Sequence, residues 1–231
     1  MAAKQAVVQK LEAAKRISGP FELFHGSFIL EFLEPPEEWD ATVLMRARYT
    51  GPSQTQGKSH PQSPPLHLHF DQSETFYVRQ GKMGTTYGWE AADRVWTSED
   101  EPFEIVPWAP HRFWPASDAS EDTILYVWAH PSGTKEPMDR CFFENLLRYI
   151  SDVTEKKASL SLLQVMCMQH ATASPLVMFP TAWWLGPLRW WIPFQFQAAC
   201  AWIGRCCGYT ALMREYTSDE DWAAFVKAKA G

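Results

Sequence analysis

The chain has 231 residues, enough for one main domain with appendages. Its apolar fraction of 46% and charged fraction of 21% are typical of a globular protein and exclude extensive disorder. The net charge of −6, without a Lys/Arg cluster, excludes nucleic-acid binding, because neutralising phosphates requires a basic surface.

The N-terminal segment, residues 1–19, is predicted to be a short amphipathic helix. It begins MAAKQAVVQKLEAAKR, with lysines throughout, and lacks the continuous apolar core of a secretory signal. The five cysteines are an odd number without a CxxC pair, which favours a reducing compartment over a disulfide framework. We therefore expect a cytoplasmic location.

Residues 20–132 are predicted to form the main domain, a mainly β fold of antiparallel barrel or sandwich type. Short runs rich in branched and aromatic residues recur at close spacing, among them FILEFL, ATVLMRARY, FEIV and TILYVWAH. Residues 50–65, TGPSQTQGKSHPQSPP, form a long polar segment that interrupts these runs. Segments of this length are commonly functional, so we expect a lid near the mouth of the barrel.

Residues 133–231 are predicted to form a helical C-terminal annex. In MDRCFFENLLRYISDV, the apolar side chains of Phe142, Leu146, Tyr149, Ile150 and Val153 recur at helical spacing. Near the end of the chain, Ser218 and Asp221 have the spacing of a capping box.

Four side chains are candidate metal ligands. In PPLHLHF, His67 and His69 alternate along an extended segment, so they project to the same side while Leu66 and Leu68 project to the other. Glu74 follows a short turn, so its carboxylate could lie on the same side as the two imidazoles. Two imidazoles and a carboxylate form the open set that Fe²⁺ and related divalent metals favour, too sparse for a closed structural zinc site.

His111, in VPWAPHRFWP, is the fourth candidate ligand, because Pro107 and Pro110 suggest a tight turn that delivers it to the start of a strand. Taken singly, each of the four residues has an ordinary alternative as a half-exposed or solvated side chain. The remaining histidines have no partner spacing and are assigned no role: His25, His60, His130 and His170.

The order HxHx₄Ex₆G, followed some thirty residues later by PHRF, resembles the two motifs of the cupin superfamily. The first motif matches at His67, His69, Glu74 and Gly81. In the second, Trp108 stands where the family usually has a glycine, and Pro115 stands where it usually has an asparagine. Gly57 also lies farther ahead of His67 than the family's leading glycine. These departures affect turns and leave all four ligands in place.

The resemblance covers about half the chain. It implies a double-stranded β-helix, or jelly roll, that binds one divalent metal ion through His67, His69, Glu74 and His111. Fe²⁺ is the first choice, with Zn²⁺, Mn²⁺ or Ni²⁺ as alternatives.

Three functions follow from this site as hypotheses. The first is an iron oxygenase-type oxidoreductase that acts on a small, largely apolar organic substrate in catabolism or specialised metabolism. The second is a non-redox isomerase or cyclase that uses the same metal as a Lewis acid. The third is a non-catalytic ligand-binding cupin whose metal is structural. A fold alone does not decide among them.

Residues 176–207 form a Trp-rich segment that holds five of the 12 tryptophans. Pro187, Arg189 and Pro193 are expected to interrupt it, so we do not expect a transmembrane helix. An apolar surface of this size predicts an interface, formed with the barrel, with a second subunit in a homodimer, or with a membrane surface. The adjacent Cys206 and Cys207 are expected to be buried.

Overall fold

The computed structural model describes residues 2–119 and 121–230. In chain order, the strands are β1 (Arg16–Leu23), β2 (Phe28–Leu33), β3 (Val43–Tyr49), β4 (Ser73–Gln80), β5 (Lys82–Tyr87), β6 (Ala92–Thr97), β7 (Phe103–Ile105), β8 (His111–Pro115) and β9 (Thr123–His130). The α-helices are α1 (Ala2–Ala13), α2 (Arg140–Thr154), α3 (Leu162–His170), α4 (Leu188–Cys206) and α5 (Asp219–Ala230).

The described strands form two antiparallel sheets. One sheet has six strands in the order β1-β2-β3-β9-β4-β7, and the other has three in the order β6-β5-β8. Aromatic side chains join them, because Phe76 of β4 packs at 5.2 Å, centroid to centroid, against both Trp96 of β6 and Phe113 of β8. The predicted mainly β jelly roll, with an N-terminal helix and a helical annex, is therefore confirmed. Its two described sheets face each other without closing into one hydrogen-bonded ring.

The first strand begins earlier than the sequence suggested. Helix α1 ends at Ala13, and β1 starts at Arg16, where it pairs with Leu33 of β2. The guanidinium of Arg16 lies 3.0 Å from the carboxylate of Glu31, which fixes this end of the strand. Helix α1 packs through Leu11, which is 1% exposed, against the outer apolar cluster of the large sheet.

Residues 50–65 are partly helical rather than an irregular loop. A 3₁₀ segment runs over Gly51–Ser59. The side chain of Gln54, which is fully buried, donates to the carbonyl of Glu121 at 2.6 Å and accepts from the hydroxyl of Thr123 at 2.7 Å. These contacts fix the first half of the segment to the loop that precedes β9.

The helical annex packs over one end of the jelly roll. Asp139 caps α2 by accepting a hydrogen bond from the backbone of Phe142 at 2.8 Å, and the predicted apolar face of α2 joins the main core cluster. In α5, the backbone of Asp221 donates to the hydroxyl of Ser218 at 3.1 Å, as the capping pattern predicted. The annex is therefore part of the same core as the sheets.

Helix α4 continues through Pro193, so the expectation that this proline breaks the segment is wrong, whereas Arg189 does place a charge within the apolar run. A proline removes the hydrogen bond to the carbonyl four residues earlier. Here that carbonyl, of Arg189, accepts instead from the backbone of Met178 at 2.8 Å, which offsets the loss. None of the helices in the described ranges is long and apolar enough to cross a membrane, as expected.

Cys141, Cys200, Cys206 and Cys207 are free thiols, and the thiol of Cys167 donates to the carbonyl of Ala201 at 3.4 Å. Cys206 and Cys207 are exposed, contrary to expectation, because they lie at the end of α4 beyond its contact with α3.

Candidate metal centre

His67 and His69 lie on an extended segment held between two neighbours. On one side, the backbone of His67 exchanges two hydrogen bonds with that of His111, at 3.1 and 2.7 Å. On the other side, the backbone of Leu68 donates to Pro175 at 3.1 Å, and the backbone of Val177 donates to Leu66 at 2.9 Å. The annex thus adds a strand-like neighbour, residues 175–177, to the histidine-bearing segment. This pairing keeps the segment extended and places both histidines on one face.

The four predicted ligands come together. The ligand atoms of His67, His69 and His111 all lie within 4.8 Å of one another. The Oε2 atom of Glu74, at the start of β4, lies 3.0 Å from Nε2 of His111 and 4.0 Å from Nε2 of His69. His69, Glu74 and His111 are buried, whereas His67 lies partly open on the cavity side.

Each ring is anchored through its Nδ1 atom. Nδ1 of His67 lies 2.9 Å from the carbonyl of Pro65, and Nδ1 of His111 lies 3.0 Å from the carbonyl of Ala109. Because a carbonyl can only accept, both rings carry a proton on Nδ1. Their Nε2 atoms are directed to the common centre, as in metal-binding histidines whose other nitrogen is hydrogen-bonded.

His69 is anchored by the annex. Its Nδ1 lies 2.9 Å from the hydroxyl of Ser174, and that hydroxyl lies 3.1 Å from the carbonyl of Thr172. Because a carbonyl can only accept, the hydroxyl of Ser174 donates to the carbonyl of Thr172. The same hydroxyl then accepts a hydrogen bond from Nδ1–H of His69. The Nε2 atom of His69 therefore keeps its lone pair for the centre.

The imidazoles of His67 and His69 are held neutral. Burial lowers the pKa of His67 to about 3 and lowers the pKa of His69 well below its ordinary value, and the neighbouring imidazoles act in the same direction. A neutral imidazole is the form that binds a metal ion.

The contacts at the centre fit a cation. The Nε2 atom of His69 is buried and has no hydrogen-bond partner among the described residues. Nε2 of His111 and the carboxylate of Glu74 are both acceptors when the ring is protonated on Nδ1, yet they lie 3.0 Å apart. Such a contact is unfavourable unless a positive charge lies between the two atoms. One divalent ion bound by all three Nε2 atoms and the carboxylate would satisfy every one of these groups.

A cavity of about 110 Å³ leads to the histidines, which is room for several water molecules or a small ligand. Its walls are mainly apolar side chains from the inner faces of both sheets, together with four from α2: Phe142, Phe143, Leu146 and Leu147. Gln62 and Pro64, from the end of the long polar segment, also line it, in agreement with the expectation that this segment lies near the mouth. An apolar cavity with polar groups at one end is typical of a site for a small organic ligand.

The polar cavity residues, apart from the predicted ligands, are Tyr49, Gln62, Gln169 and Ser174. The hydroxyl of Tyr49 contacts the amide oxygen of Gln62. Burial raises the pKa of Tyr49, so the hydroxyl stays neutral and donates. Sequence reasoning assigned no role to these four residues, since none lies in a recognisable motif.

The departures from the cupin pattern have local explanations. Trp108 replaces the usual glycine yet keeps the backbone that glycine favours, with φ +68°. Its ring packs against Phe70 at 4.5 Å and Trp190 at 5.1 Å, which compensates for the strained conformation. The backbone N–H of Trp108 donates to the carbonyl of His69 at 2.8 Å, which connects the turn before His111 to the histidine-bearing segment.

No family model matches the chain. Several curated proteins are similar to it, among them two from Aspergillus and one from Hypocrea. "Probable oxidoreductase patJ" of Aspergillus clavatus is 30% identical over 215 residues, covering 87% of this chain and 63% of that protein. "Epoxidase atD" of Aspergillus terreus is 30% identical over 222 residues, covering 90% of this chain and 65% of that protein. "Probable oxidoreductase virH" of Hypocrea virens is 31% identical over 156 residues, covering 66% and 67%. The chain spans less than two thirds of the length of the first two relatives.

Solved structures overlap the chain only in part. The cupin domain of Schizosaccharomyces pombe Cnp3 is 13% identical, with a TM-score of 0.34, and covers 52% of this chain and 69% of that one. The iron(II) form of HppE is 11% identical, with a TM-score of 0.35, and the match covers 52% of this chain and 57% of that one.

Proposed function

The chain is a cupin that belongs to the family of oxidoreductases represented by the Hypocrea virens protein, and we propose that it is itself a metal-dependent oxidoreductase acting on a small organic molecule. The observation that carries the proposal is the convergence of three Nδ1-anchored histidines and Glu74 at one end of an apolar cavity. A site built only for stability would not need this cavity beside it.

His67, His69, His111 and Glu74 are proposed to hold one divalent metal ion. Three nitrogens and one carboxylate oxygen suit Fe²⁺ first, with Zn²⁺, Mn²⁺ or Ni²⁺ as alternatives. When bound, the ion supplies open coordination positions and positive charge that polarises an oxygen of the substrate. The neutral imidazoles leave Glu74 as the one anionic ligand, so the centre keeps a net positive charge.

The rest of the chain positions the substrate. The apolar walls exclude water and favour a small, largely apolar molecule, because burial of its surface drives binding. The amides of Gln62 and Gln169 are placed to orient its oxygen atoms by hydrogen bonds, and the hydroxyl of Tyr49 holds the amide oxygen of Gln62. The four α2 side chains close one wall, so their size limits the substrate.

The oxidative reaction is proposed to be of the oxygenase type and to require dioxygen. One relative is named an epoxidase, which supports oxygen chemistry in the family. The isomerase or cyclase alternative uses the same ligands without a redox change. A homodimer and a place in specialised metabolism stay predictions.

The decisive experiment starts with protein purified without chelators. Elemental analysis should find one divalent metal per chain, with iron in the active form. Incubation with candidate apolar substrates should consume dioxygen, and strict exclusion of dioxygen should stop turnover. Turnover that persists without dioxygen and with zinc in place of iron would support the isomerase hypothesis and contradict the oxidoreductase hypothesis. Absence of turnover together with unfolding on chelation would identify a structural metal.

A further inference from the structure

The outer face of α4 is an exposed apolar stripe. Its large side chains fall on one face at helical spacing and are 44 to 64% exposed: Leu188, Trp191, Ile192, Phe196, Trp202 and Ile203. The segment before the helix extends this surface with Phe179, Trp183 and Trp184, which are 63 to 81% exposed. Contiguous apolar surface of this kind marks an interaction site.

The opposite face of α4 is fixed to the rest of the protein. Cys200, Ala201 and Gly204 are buried on that face. At Gly204 an added Cβ would come within 2.6 Å of the Cys167 sulfur of α3, so the two helices are in close contact. Gln197 donates to the carbonyl of Ser174 at 3.3 Å. The helix is therefore held in one orientation, with its apolar stripe facing outward.

Within the segment that carries the stripe, the charged side chains have one sign. Residues 158–214 contain no Asp or Glu, although the whole chain has a net charge of −6. Arg189 lies at the start of α4 and Arg205 at its end. Arg189 stacks on the ring of Trp89 at 4.2 Å, and Arg205 is exposed. Neither arginine takes part in an ion pair within the described ranges.

We propose that the outer face of α4, with residues 179–184, docks on the surface of an anionic lipid bilayer. The helix is about 28 Å long and would lie in the membrane plane, with its inner face still packed on α3. Tryptophan rings favour the headgroup layer, and Arg189 and Arg205, whose charges are not neutralised by an ion pair in the described ranges, favour anionic lipid. This interaction is separate from the metal centre and does not depend on its chemistry.

A second copy of the chain is a poorer occupant for the same face. A two-fold contact across α4 buries identical surfaces against each other. The segment supplies arginines to such a contact and no carboxylate to pair with them, so charges of one sign would meet. An anionic membrane supplies the missing charge.

The test is flotation of the full chain with lipid vesicles. Wild type should float with vesicles that contain phosphatidylserine and less with pure phosphatidylcholine, and the difference should shrink at high salt. The triple variant Trp184→Ser, Phe196→Ser, Trp202→Ser should bind at least about tenfold more weakly, because three exposed apolar anchors are lost. Arg205→Gln should remove part of the preference for anionic lipid.

The matched control variants each remove a similarly exposed apolar side chain that lies outside the proposed docking surface. Ile17→Ser on β1 and Leu160→Ser before α3 remove side chains that are 55 and 63% exposed, and both variants should float like wild type. Circular dichroism and thermal unfolding check that each variant folds. Flotation of the triple variant equal to wild type would overturn the proposal. So would a wild-type dimer that ignores vesicles and that the triple variant converts to a monomer.

Discussion

The hydroxyl of Ser174 lies 2.9 Å from Nδ1 of His69, although 105 residues separate them in the chain. In His67 and His111, the Nδ1 atom is instead held by the carbonyl two residues earlier in the same segment. His69 alone depends on the annex. The C-terminal annex therefore contacts the candidate metal centre directly, through the segment between α3 and α4, and α2 also lines the cavity.

Replacing Ser174 by Ala should weaken metal binding about 10- to 100-fold, because the ring of His69 loses the group that fixes its tautomer and orientation. Calorimetric titration of the metal-free chain with Fe²⁺ or Zn²⁺ measures the affinity directly. Ser174→Thr retains the hydroxyl and is the matched control, which should recover most of the affinity. Equal affinities for wild type and Ser174→Ala would show that the contact has no role in metal binding.

Replacing His69 by Ala should reduce metal affinity by more than the change at Ser174, since a ligand is lost rather than its support. The chain should remain folded, because the side chain faces the cavity while Leu68, on the opposite face, stays fully buried. His25→Ala is the control, an exposed histidine outside the cluster. Metal content and circular dichroism report the two properties separately, and a His69→Ala chain with full metal content would remove His69 from the ligand set.

Chelation should lower the unfolding temperature of wild type. A ligand that binds only the folded state stabilises it by about 2.7 kcal/mol when present at 100 times its Kd. The same chelator should have little effect on His69→Ala, which has already lost most of its metal. Differential scanning calorimetry of both proteins, with and without chelator, makes the comparison. An equal decrease in the two proteins would mean that the chelator acts elsewhere.

The histidine cluster was predictable from sequence because its information is local. Alternation places His67 and His69 on one side of an extended segment. The spacing to Glu74 and His111 matches a known pair of motifs. Ser174 could not be found in this way, since its contact depends on residues 175–177 pairing with the histidine segment across a gap of more than a hundred residues.

The path of α4 was unpredictable for a similar reason. Pro193 normally ends or kinks a helix. The hydrogen bond from Met178 to the carbonyl of Arg189 removes much of that penalty, and it is a contact between separate segments. Trp108 is a second case, because it adopts φ +68° without being a glycine and its ring packs against Phe70 and Trp190. Local propensity was overridden in both places by packing.

Gly81, the last position of the first cupin motif, should not tolerate a side chain. Its φ is +72°, and an added Cβ would come within 2.5 Å of the Thr123 hydroxyl and 2.7 Å of the Asp122 carbonyl. Gly81→Ala should therefore destabilise the protein by about 2 kcal/mol or more. Urea denaturation measures the change. Gly26→Ala is the matched control, with φ +76° and no atom within 4 Å of the added Cβ, so it should cost only about 1 kcal/mol. Equal losses would contradict the steric explanation.

His60 should make the stability of the fold depend on pH. It is 1% exposed; its Nδ1 accepts from the backbone of Gln62 at 3.2 Å, and its Nε2 lies 3.0 Å from the hydroxyl of Ser27. Burial lowers the pKa of His60 to about 4. Protonation of Nδ1 would place two hydrogen-bond donors, Nδ1–H and the Gln62 N–H, in contact, which disfavours the protonated ring in the folded state.

Because the unfolded chain takes up this proton near pH 6.5 and the folded chain only near its lowered pKa, the stabilising contribution of neutral His60 is complete at neutral pH. It should fall as the pH drops from about 6.5 towards 4, by a total on the order of 3 kcal/mol. The variant His60→Gln, which cannot titrate, should show a shallower loss over that window. Urea denaturation of both proteins in the presence of chelator, at a series of pH values, isolates the difference from metal binding. Parallel curves for the two proteins would mean that His60 is protonated in the folded state as readily as in the unfolded one.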